Sequence, residues 1–213
     1  MAAGRTARAA EFAGLYLGLP LLLALALPPD WMWPVLAAAT ALALALLART
    51  PGFAWGELLR GWRGLDWGHV ALVGAATAAV AGLLVWWLVP WQAFALPRRA
   101  TGLWLTILAL YPFLSALPQE LVFRPLFFRR YGGLFPDRRL AILANGLVFG
   151  LAHLMFWNWV APALTVAGGL IFGHAYLGRG GFALALVLHA LCGAIVFTSG
   201  LGTFFYHGAV PLR

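Results

Sequence analysis

The sequence predicts an all-α fold, a polytopic bundle of about seven transmembrane helices. Of the 213 residues, 63% are hydrophobic and 9% are charged, whereas soluble domains have roughly 45–50% apolar and about 25% charged residues. A soluble fold of this size lacks the interior to hide so much apolar surface. The single Cys excludes a disulfide scaffold, and the scarcity of polar sequence excludes a disordered chain.

Seven apolar runs approach the length of about 20 helical residues that a hydrocarbon core of about 30 Å requires. The fourth run continues as a Phe-rich helix through Glu120 and Arg124 to Arg130. The first is short and contains Pro20, and Asp30 marks a tight turn after it. The predicted spans are residues 12–29, 31–48, 69–91, 100–117, 140–157, 160–177 and 181–199.

The segments outside these runs are short. Residues 49–66 contain five charged side chains, which indicates a loop or an interfacial helix, and residues 200–213 are too few to span a membrane. The first run has no small-residue cleavage site, so we expect a retained anchor. No repeat or linker divides the chain, and we therefore expect one integral-membrane domain over residues 1–213.

The charges indicate how the helices are oriented. All 14 basic residues are Arg, and with six acids they give a net charge of +8. Because these arginines lie between apolar runs, they indicate topology and contacts with the lipid bilayer, and we expect no nucleic-acid partner. With seven spans, one side of the membrane receives Arg5, Arg8, Arg49, Arg60, Arg63, Arg129, Arg130, Arg138, Arg139 and Arg179.

By the positive-inside rule that side, with the N-terminus, is cytoplasmic. Arg98 and Arg99 are exceptions on the opposite side. The bias toward Ala, Arg and Leu is typical of a GC-rich genome, so we expect an integral protein of the bacterial inner (cytoplasmic) membrane.

Ionisable residues inside the runs are the candidates for function, because each costs several kcal/mol at membrane depth. Glu120 and Arg124 are four residues apart, so they share a helix face and can pair. His153 lies late in the fifth run and His189 lies within the seventh. Each group alone has a structural explanation, as an ion pair or as a packed histidine. Three ionisable groups on three helices, however, favour a shared polar cavity.

Two chemistries fit a glutamate and two histidines. The carboxylate can act as a general base on water, with one His orienting the water and the other stabilising the oxyanion. Alternatively, Glu120, His153 and His189 can bind Zn²⁺, since His₂Glu plus water is a known catalytic set. Spacing alone does not decide between them, and we expect no cofactor, with zinc at these three residues as the alternative.

The motifs resemble those of the CPBP family, the CAAX-processing and bacteriocin-immunity (Abi) intramembrane endopeptidases. The matching segments are Gln119-Glu120-x-x-x-Arg124, then Phe149-x-x-x-His153, then His189 followed by Gly193. The family pattern is Glu-Glu-x-x-x-Arg, Phe-x-x-x-His and His-x-x-x-Asn/Asp, with each motif on its own transmembrane helix. The resemblance covers roughly residues 114–193.

Two positions depart from the family pattern. Gln119 stands where the family has its first acid, and an amide cannot accept a proton, so an active protein must use Glu120 as the base or have an active-site geometry shifted by one residue. The final Asn/Asp is Gly193, so a side-chain donor to the oxyanion is missing, and His189, Cys192, an indole or a backbone N–H must compensate. Cys192 as a thiol nucleophile is a weaker hypothesis, because a lone membrane Cys usually packs as a small apolar group.

The resemblance implies an intramembrane protease. In this interpretation Glu120 activates water, His153 orients it, His189 stabilises the oxyanion and Arg124 keeps Glu120 ionised. The substrate is a membrane-associated protein or peptide. The alternative is a catalytically inactive membrane immunity or scaffold protein that binds a peptide partner in the same cavity, which Gln119 and Gly193 favour.

Overall fold

The computed structural model describes residues 2–178 and 180–205, and within these ranges helices are joined by turns and loops and no residue is in a β-strand. Seven helices are long and apolar enough to cross a membrane in this part of the chain, which confirms the predicted architecture. Each predicted span overlaps one helix, and the last two agree with it at both ends. We label the seven helices in order: α1 Gly4–Leu25, α2 Pro29–Ala48, α3 Trp67–Leu88, α4 Thr101–Leu134, α5 Arg138–Phe156, α6 Val160–Leu177 and α7 Gly181–Ser199.

Near their prolines, α1 and α4 change from α-helical to π-helical hydrogen bonding, and neither helix ends there. A π-helical turn at Gly14–Gly18 precedes Pro20, so the first span is continuous where the sequence indicated an interruption. In α4, π-helical segments cover Pro112–Ala116 and Val122–Tyr131, the second of which contains Pro125. Wider turns of this kind absorb a missing amide N–H and occur often at functional sites.

The basic segments come together at one end of the bundle. Arg8 donates to the backbone carbonyl of Arg130 at 2.9 Å, and Glu11 accepts from the Arg130 side chain at 2.7 and 2.9 Å. In the loop after α2, Glu57 accepts from Arg129 Nε at 2.8 Å. Burial opposes ionisation of Glu57, but Arg129 outweighs it and holds the pKa of the carboxyl below its usual range. The contacts therefore join segments that the arginine pattern assigned to one side, although Arg179 lies outside the described residues.

The opposite end is rich in exposed tryptophans. The Phe94 backbone N–H donates to the Ser199 carbonyl at 2.9 Å, and Trp157 Nε1 donates to the Ala24 carbonyl at 3.0 Å. Tryptophans favour the lipid–water boundary, and this end carries exposed indoles at Trp31, Trp33, Trp86, Trp87, Trp91, Trp157 and Trp159. A smaller group at the basic end, Trp55, Trp62 and Trp67, marks the other boundary.

Helices α5 and α6 pack closely through glycines. A Cβ on Gly169 of α6 would lie 2.8 Å from the Cα of Gly146 in α5. On α5, a Cβ on Gly150 would overlap the side chain of Val166. Small residues let membrane helices approach at backbone distance, so the Gly-rich sequence of α6 serves packing against α5.

The first three helices pack directly against the predicted site region. The buried Tyr16 hydroxyl of α1 donates to the Val122 carbonyl of α4 at 2.6 Å. Buried side chains of α2 and α3, such as Leu47 and Val73, belong to the same apolar core as Phe127 and Phe149. The first hundred residues therefore form one wall of the structure around the predicted site.

Candidate active site

Glu120 and Arg124 form a fully buried ion pair on α4. Arg124 Nε donates to Glu120 Oε2 at 3.0 Å, and neither side chain has exposed surface. The four-residue spacing predicted this contact. A charge pair without water persists only when the remaining polar atoms are also bonded, so the surrounding contacts decide what the pair can do.

His189 of α7 completes the carboxylate's hydrogen bonds. Its Nδ1 lies 2.8 Å from Glu120 Oε1, and the residue is 5% exposed. If Glu120 is ionised it can only accept, so His189 Nδ1 then carries the hydrogen and donates it. The contact joins residues that are 69 positions apart in the chain, and spacing alone did not predict it.

Asn145 is a polar residue of the site that the sequence analysis missed. Its Oδ1 accepts from Arg124 Nη1, and its Nδ2 donates to the Phe123 carbonyl at 2.6 Å. The side chain is completely buried in α5. Gly173 of α6 makes room for it, because a Cβ there would lie 3.0 Å from Asn145 Oδ1. An amide in the middle of an apolar run was the available signal.

Aromatic rings enclose these charges. The Arg124 guanidinium lies over Phe149 at 5.1 Å and over Phe172 at 5.7 Å from the ring centroids. Phe172 stacks on the His189 imidazole with centroids 5.1 Å apart and planes at 14°. The rings exclude water and supply cation–π contacts, which accounts for a buried guanidinium whose Nη2 has no hydrogen-bond partner within the described chain.

His153 lies beside the pair but does not bond to it. Its Nδ1 is 2.7 Å from the Phe149 carbonyl, which can only accept, so Nδ1 carries the hydrogen. Phe149 also contacts His189, with ring centroids 5.6 Å apart. The two imidazoles therefore flank one phenylalanine, and neither Nε2 has a hydrogen-bond partner among the described residues.

A cavity of about 780 Å³ opens beside these residues. Its volume is in the range of ligand-binding pockets. Most of the lining is aliphatic or aromatic, and the polar side chains near the histidines are Tyr111, Ser115, Gln119, His153 and His189. Glu120 has no exposed surface and lies behind His189, not in the lining.

The two departures from the family pattern both face this cavity. Gln119 donates from Nε2 to Ser115 Oγ at 2.9 Å, and its buried Oε1 has no partner in the described structure. Gly193 follows His189 by one helical turn, and the Tyr111 ring of α4 occupies the space where a side chain at position 193 would lie. Tyr111 and Ser115 had escaped the sequence analysis, because single polar residues near a span end are common.

The remaining polar residues have structural explanations. Cys192 Sγ lies 3.3 Å from Thr77 Oγ1, and the residue packs against the apolar core, as expected of a small apolar group. His174 is exposed, because Phe172, Gly173 and Ala175 occupy the buried face of α6. His207 lies outside the described residues.

The described geometry does not fit zinc. A His₂Glu site needs three ligand atoms directed at one ion. Across residues 2–178 and 180–205, no group of three His, Cys, Asp or Glu side chains is placed to hold a metal. Glu120 accepts from Arg124 and bonds His189, while His153 Nδ1 donates to a carbonyl. Zinc binding by these three residues stays a prediction that is tested by experiment.

Comparison with known families agrees with the motifs. Residues 100–195 match the family model described as "Type II CAAX prenyl endopeptidase Rce1-like". This match confirms the resemblance to the CPBP family and covers α4 to α7 with the Glu120, His153 and His189 motifs. No curated protein and no solved structure gives a match to the chain.

Proposed function

We propose, since residues 100–195 match the Rce1-like endopeptidases, that this chain is an intramembrane endopeptidase that hydrolyses a membrane-associated protein or peptide with activated water. The match supports a protease in general terms. The observation that carries the specific proposal is the buried Glu120–His189–Arg124 arrangement at the wall of the apolar cavity.

In the proposed mechanism Glu120 and His189 act as one unit. The sequence-based assignment gave Glu120 direct contact with water, but its full burial behind His189 favours action through the imidazole. Glu120 holds the Nδ1–H tautomer of His189, so the Nε2 lone pair is available to take a proton from water. The carboxylate then stabilises the imidazolium that forms, as the Asp does in catalytic Asp–His pairs. Arg124 keeps Glu120 ionised and in place.

His153 and Gln119 position the water. With its hydrogen on Nδ1, His153 has an acceptor at Nε2, and Gln119 has an unpaired acceptor at Oε1. Both side chains line the cavity. The water already donates one O–H to His189 Nε2, so its second O–H bonds to one of these two acceptors, which directs the oxygen lone pair at the substrate carbonyl.

The reaction is then a direct hydrolysis. Water oxygen bonds to the carbonyl carbon as its proton passes to His189 Nε2, and the carbonyl electrons move onto the oxygen. The tetrahedral intermediate collapses, the C–N bond breaks, and His189 returns the proton to the leaving amine. The products are an amine and a carboxylic acid, which then releases its proton to solvent or to the amine, and no covalent enzyme intermediate forms.

The lining and the opening of the cavity support the proposal that the substrate is apolar and membrane-associated. Trp33 of α2 and Leu110 and Leu114 of α4 line it and are also exposed. The cavity is therefore open between α2 and α4, at a face that contacts lipid in a membrane-embedded chain. A substrate anchored in the bilayer can enter there without crossing the hydrophobic layer.

The test is cleavage of a defined probe, an internally quenched peptide ending in a prenylated CAAX sequence and presented in liposomes. We expect the reconstituted chain to cleave it at a rate that a zinc chelator does not change. Glu120→Gln should abolish cleavage. Glu57→Gln, the matched substitution in the loop, should retain it, because Glu57 lies far from the cavity lining.

A folding control is needed, because Glu120→Gln leaves Arg124 as an unpaired buried charge, a change that costs about 3–5 kcal/mol in other proteins. In the double variant Glu120→Gln/Arg124→Gln, both charges are gone. This variant should regain thermal stability and stay inactive. A stable double variant that cleaves at the wild-type rate contradicts the proposal.

The second candidate is a membrane immunity or scaffold protein that binds a peptide in the same cavity. Gln119 and Gly193, which replace the family's polar side chains, favour it. It predicts that the wild-type chain binds the CAAX probe without cleaving it, and that Glu120→Gln leaves the biological effect unchanged.

A further inference from the structure

The side chain missing at position 193 is replaced in space by a residue from another helix. Gly193 lies on α7, four residues after His189, and Tyr111 lies on α4. A Cβ added to Gly193 would overlap Cε1, Cζ and Oη of Tyr111. The two positions therefore exclude each other, since the Tyr111 ring can occupy this place only while residue 193 is glycine.

The Tyr111 hydroxyl lies in the polar part of the cavity. Its ring meets the His189 imidazole edge to face, with centroids 6.0 Å apart. Tyr111, Ser115 and Gln119 follow one another at four-residue intervals on α4, and all three line the cavity. In the described part of the chain no residue hydrogen-bonds the Tyr111 hydroxyl. An unpaired phenol among apolar groups is costly, so a partner in the cavity is favoured.

The proposed reaction still needs a hydrogen-bond donor to the oxyanion at the moment when water attacks the carbonyl. A tetrahedral intermediate needs a hydrogen-bond donor aimed at the developing oxyanion. His153 uses its Nδ1–H on the Phe149 carbonyl, and His189 directs its Nδ1 to Glu120. In their neutral forms both imidazoles present acceptors to the cavity at Nε2. The Tyr111 hydroxyl is a donor beside His189 that is not otherwise engaged.

We propose that Tyr111, seated against Gly193, donates the hydrogen bond that stabilises the oxyanion during peptide hydrolysis. The inference rests on the proposed function. Tyr111 keeps its proton throughout, so the proton balance between water, His189 and the leaving amine is unchanged. Gly193 serves the reaction by leaving room for the phenol.

The first test removes the hydroxyl and keeps the ring. Tyr111→Phe should lower kcat about 100-fold or more, as loss of an oxyanion donor does elsewhere. KM should change little, because the bond forms in the transition state. The matched control is Tyr176→Phe on α6, whose ring stacks on Phe128 away from the cavity lining, and it should leave both constants unchanged. Wild-type kcat in Tyr111→Phe overturns the proposal.

The second test removes the ring at position 111 and adds a polar side chain at position 193. Gly193→Asn alone should lower the thermal midpoint, because Tyr111 blocks the new side chain. Tyr111→Ala alone should keep the fold and lose activity. The double variant Tyr111→Ala/Gly193→Asn should recover thermal stability relative to Gly193→Asn and at least 10-fold of the activity lost in Tyr111→Ala. A double variant that is no more stable than Gly193→Asn and no more active than Tyr111→Ala contradicts the claim that the two side chains can replace each other.

The outcomes distinguish a failure of the role proposed for Tyr111 from a failure of the proposed protease function. If the wild-type chain cleaves the prenylated CAAX probe, Glu120→Gln does not, and Tyr111→Phe does so normally, only the role of Tyr111 is wrong. If the wild-type chain does not cleave the probe, the protease proposal and the role of Tyr111 fail together. The thermal midpoints of the exchange variants then still report whether Tyr111 occupies the space at Gly193.

Discussion

At the scale of single residues, the site depends on how each buried polar atom is paired. Arg124 is held by Glu120, by Asn145 and by two phenylalanine faces. Removing one partner of a buried charge leaves the full desolvation penalty of the other. The polar groups of α4, α5 and α7 therefore depend on one another, and a change at Asn145, which does not line the cavity, should alter the site.

Asn145→Ala tests this dependence. The variant removes the acceptor of Arg124 Nη1 and the donor to the Phe123 carbonyl, so we expect a loss of about 2 kcal/mol or more in unfolding free energy. Thermal or denaturant unfolding of the detergent-solubilised protein measures it. Thr40→Ala is the control, because the Thr40 hydroxyl bonds only within α2, to the Leu36 carbonyl. Equal stability of the two variants would show that Asn145 is dispensable.

At the scale of helices, close packing between α5 and α6 brings the Phe149 and Phe172 rings against Arg124 and His189. The approach depends on Gly146 and Gly169, whose backbones nearly touch. A side chain at Gly169 would meet the Gly146 Cα and the Phe149 side chain, so it must push the helices apart and loosen the aromatic enclosure of the site.

Gly169→Ala should therefore destabilise the fold by about 1–3 kcal/mol, as overpacking does in protein cores. Gly82→Ala on α3 is the matched control, because nothing lies within 4 Å of the added Cβ. There the better helix propensity of Ala should leave stability unchanged or raise it by up to about 1 kcal/mol. The measurement is a comparison of the unfolding midpoints of Gly169→Ala and Gly82→Ala. A neutral Gly169→Ala would mean that α5 and α6 tolerate a wider separation.

The sequence predicted which residues form the site better than it predicted how those residues contact one another. The Glu120–Arg124 pair follows from helical spacing, and His153 and His189 follow from the cost of ionisable groups in a membrane. The same rule applied to an uncharged amide would have found Asn145. The direct contact of His189 with Glu120 depends on helix packing. Tyr111 gave no sequence signal, since its importance depends on its overlap with position 193.

At the scale of the whole molecule, the charge pattern sets the orientation in the bilayer. Contacts of Arg8, Glu11 and Glu57 with Arg129 and Arg130 gather the basic segments at one end. We propose that this end is cytoplasmic, by the positive-inside rule, and that the chain lies in a bacterial inner membrane.

Single cysteines can test this orientation in a Cys192→Ala background. Gly64→Cys, in the loop at the basic end, should react with a membrane-impermeant maleimide only after the cells are permeabilised. Arg99→Cys, at the opposite end, should react in intact cells. Both residues are exposed, so access to the thiol reports the side of the membrane. The reverse labelling pattern would invert the proposed topology.

A double-mutant cycle on Glu120 and His189, measured as kcat for the prenylated CAAX probe in liposomes, tests whether this buried pair activates water. Because the two residues are proposed to act as one unit, Glu120→Gln, His189→Gln and the double variant should lose activity to a similar extent, as members of a catalytic unit do. Thermal unfolding of each variant, with Glu120→Gln/Arg124→Gln as the charge-balanced control, separates this loss from misfolding. Losses that multiply in the double variant, or a folded single variant with wild-type kcat, would contradict the claim that the buried Glu120–His189 pair activates water.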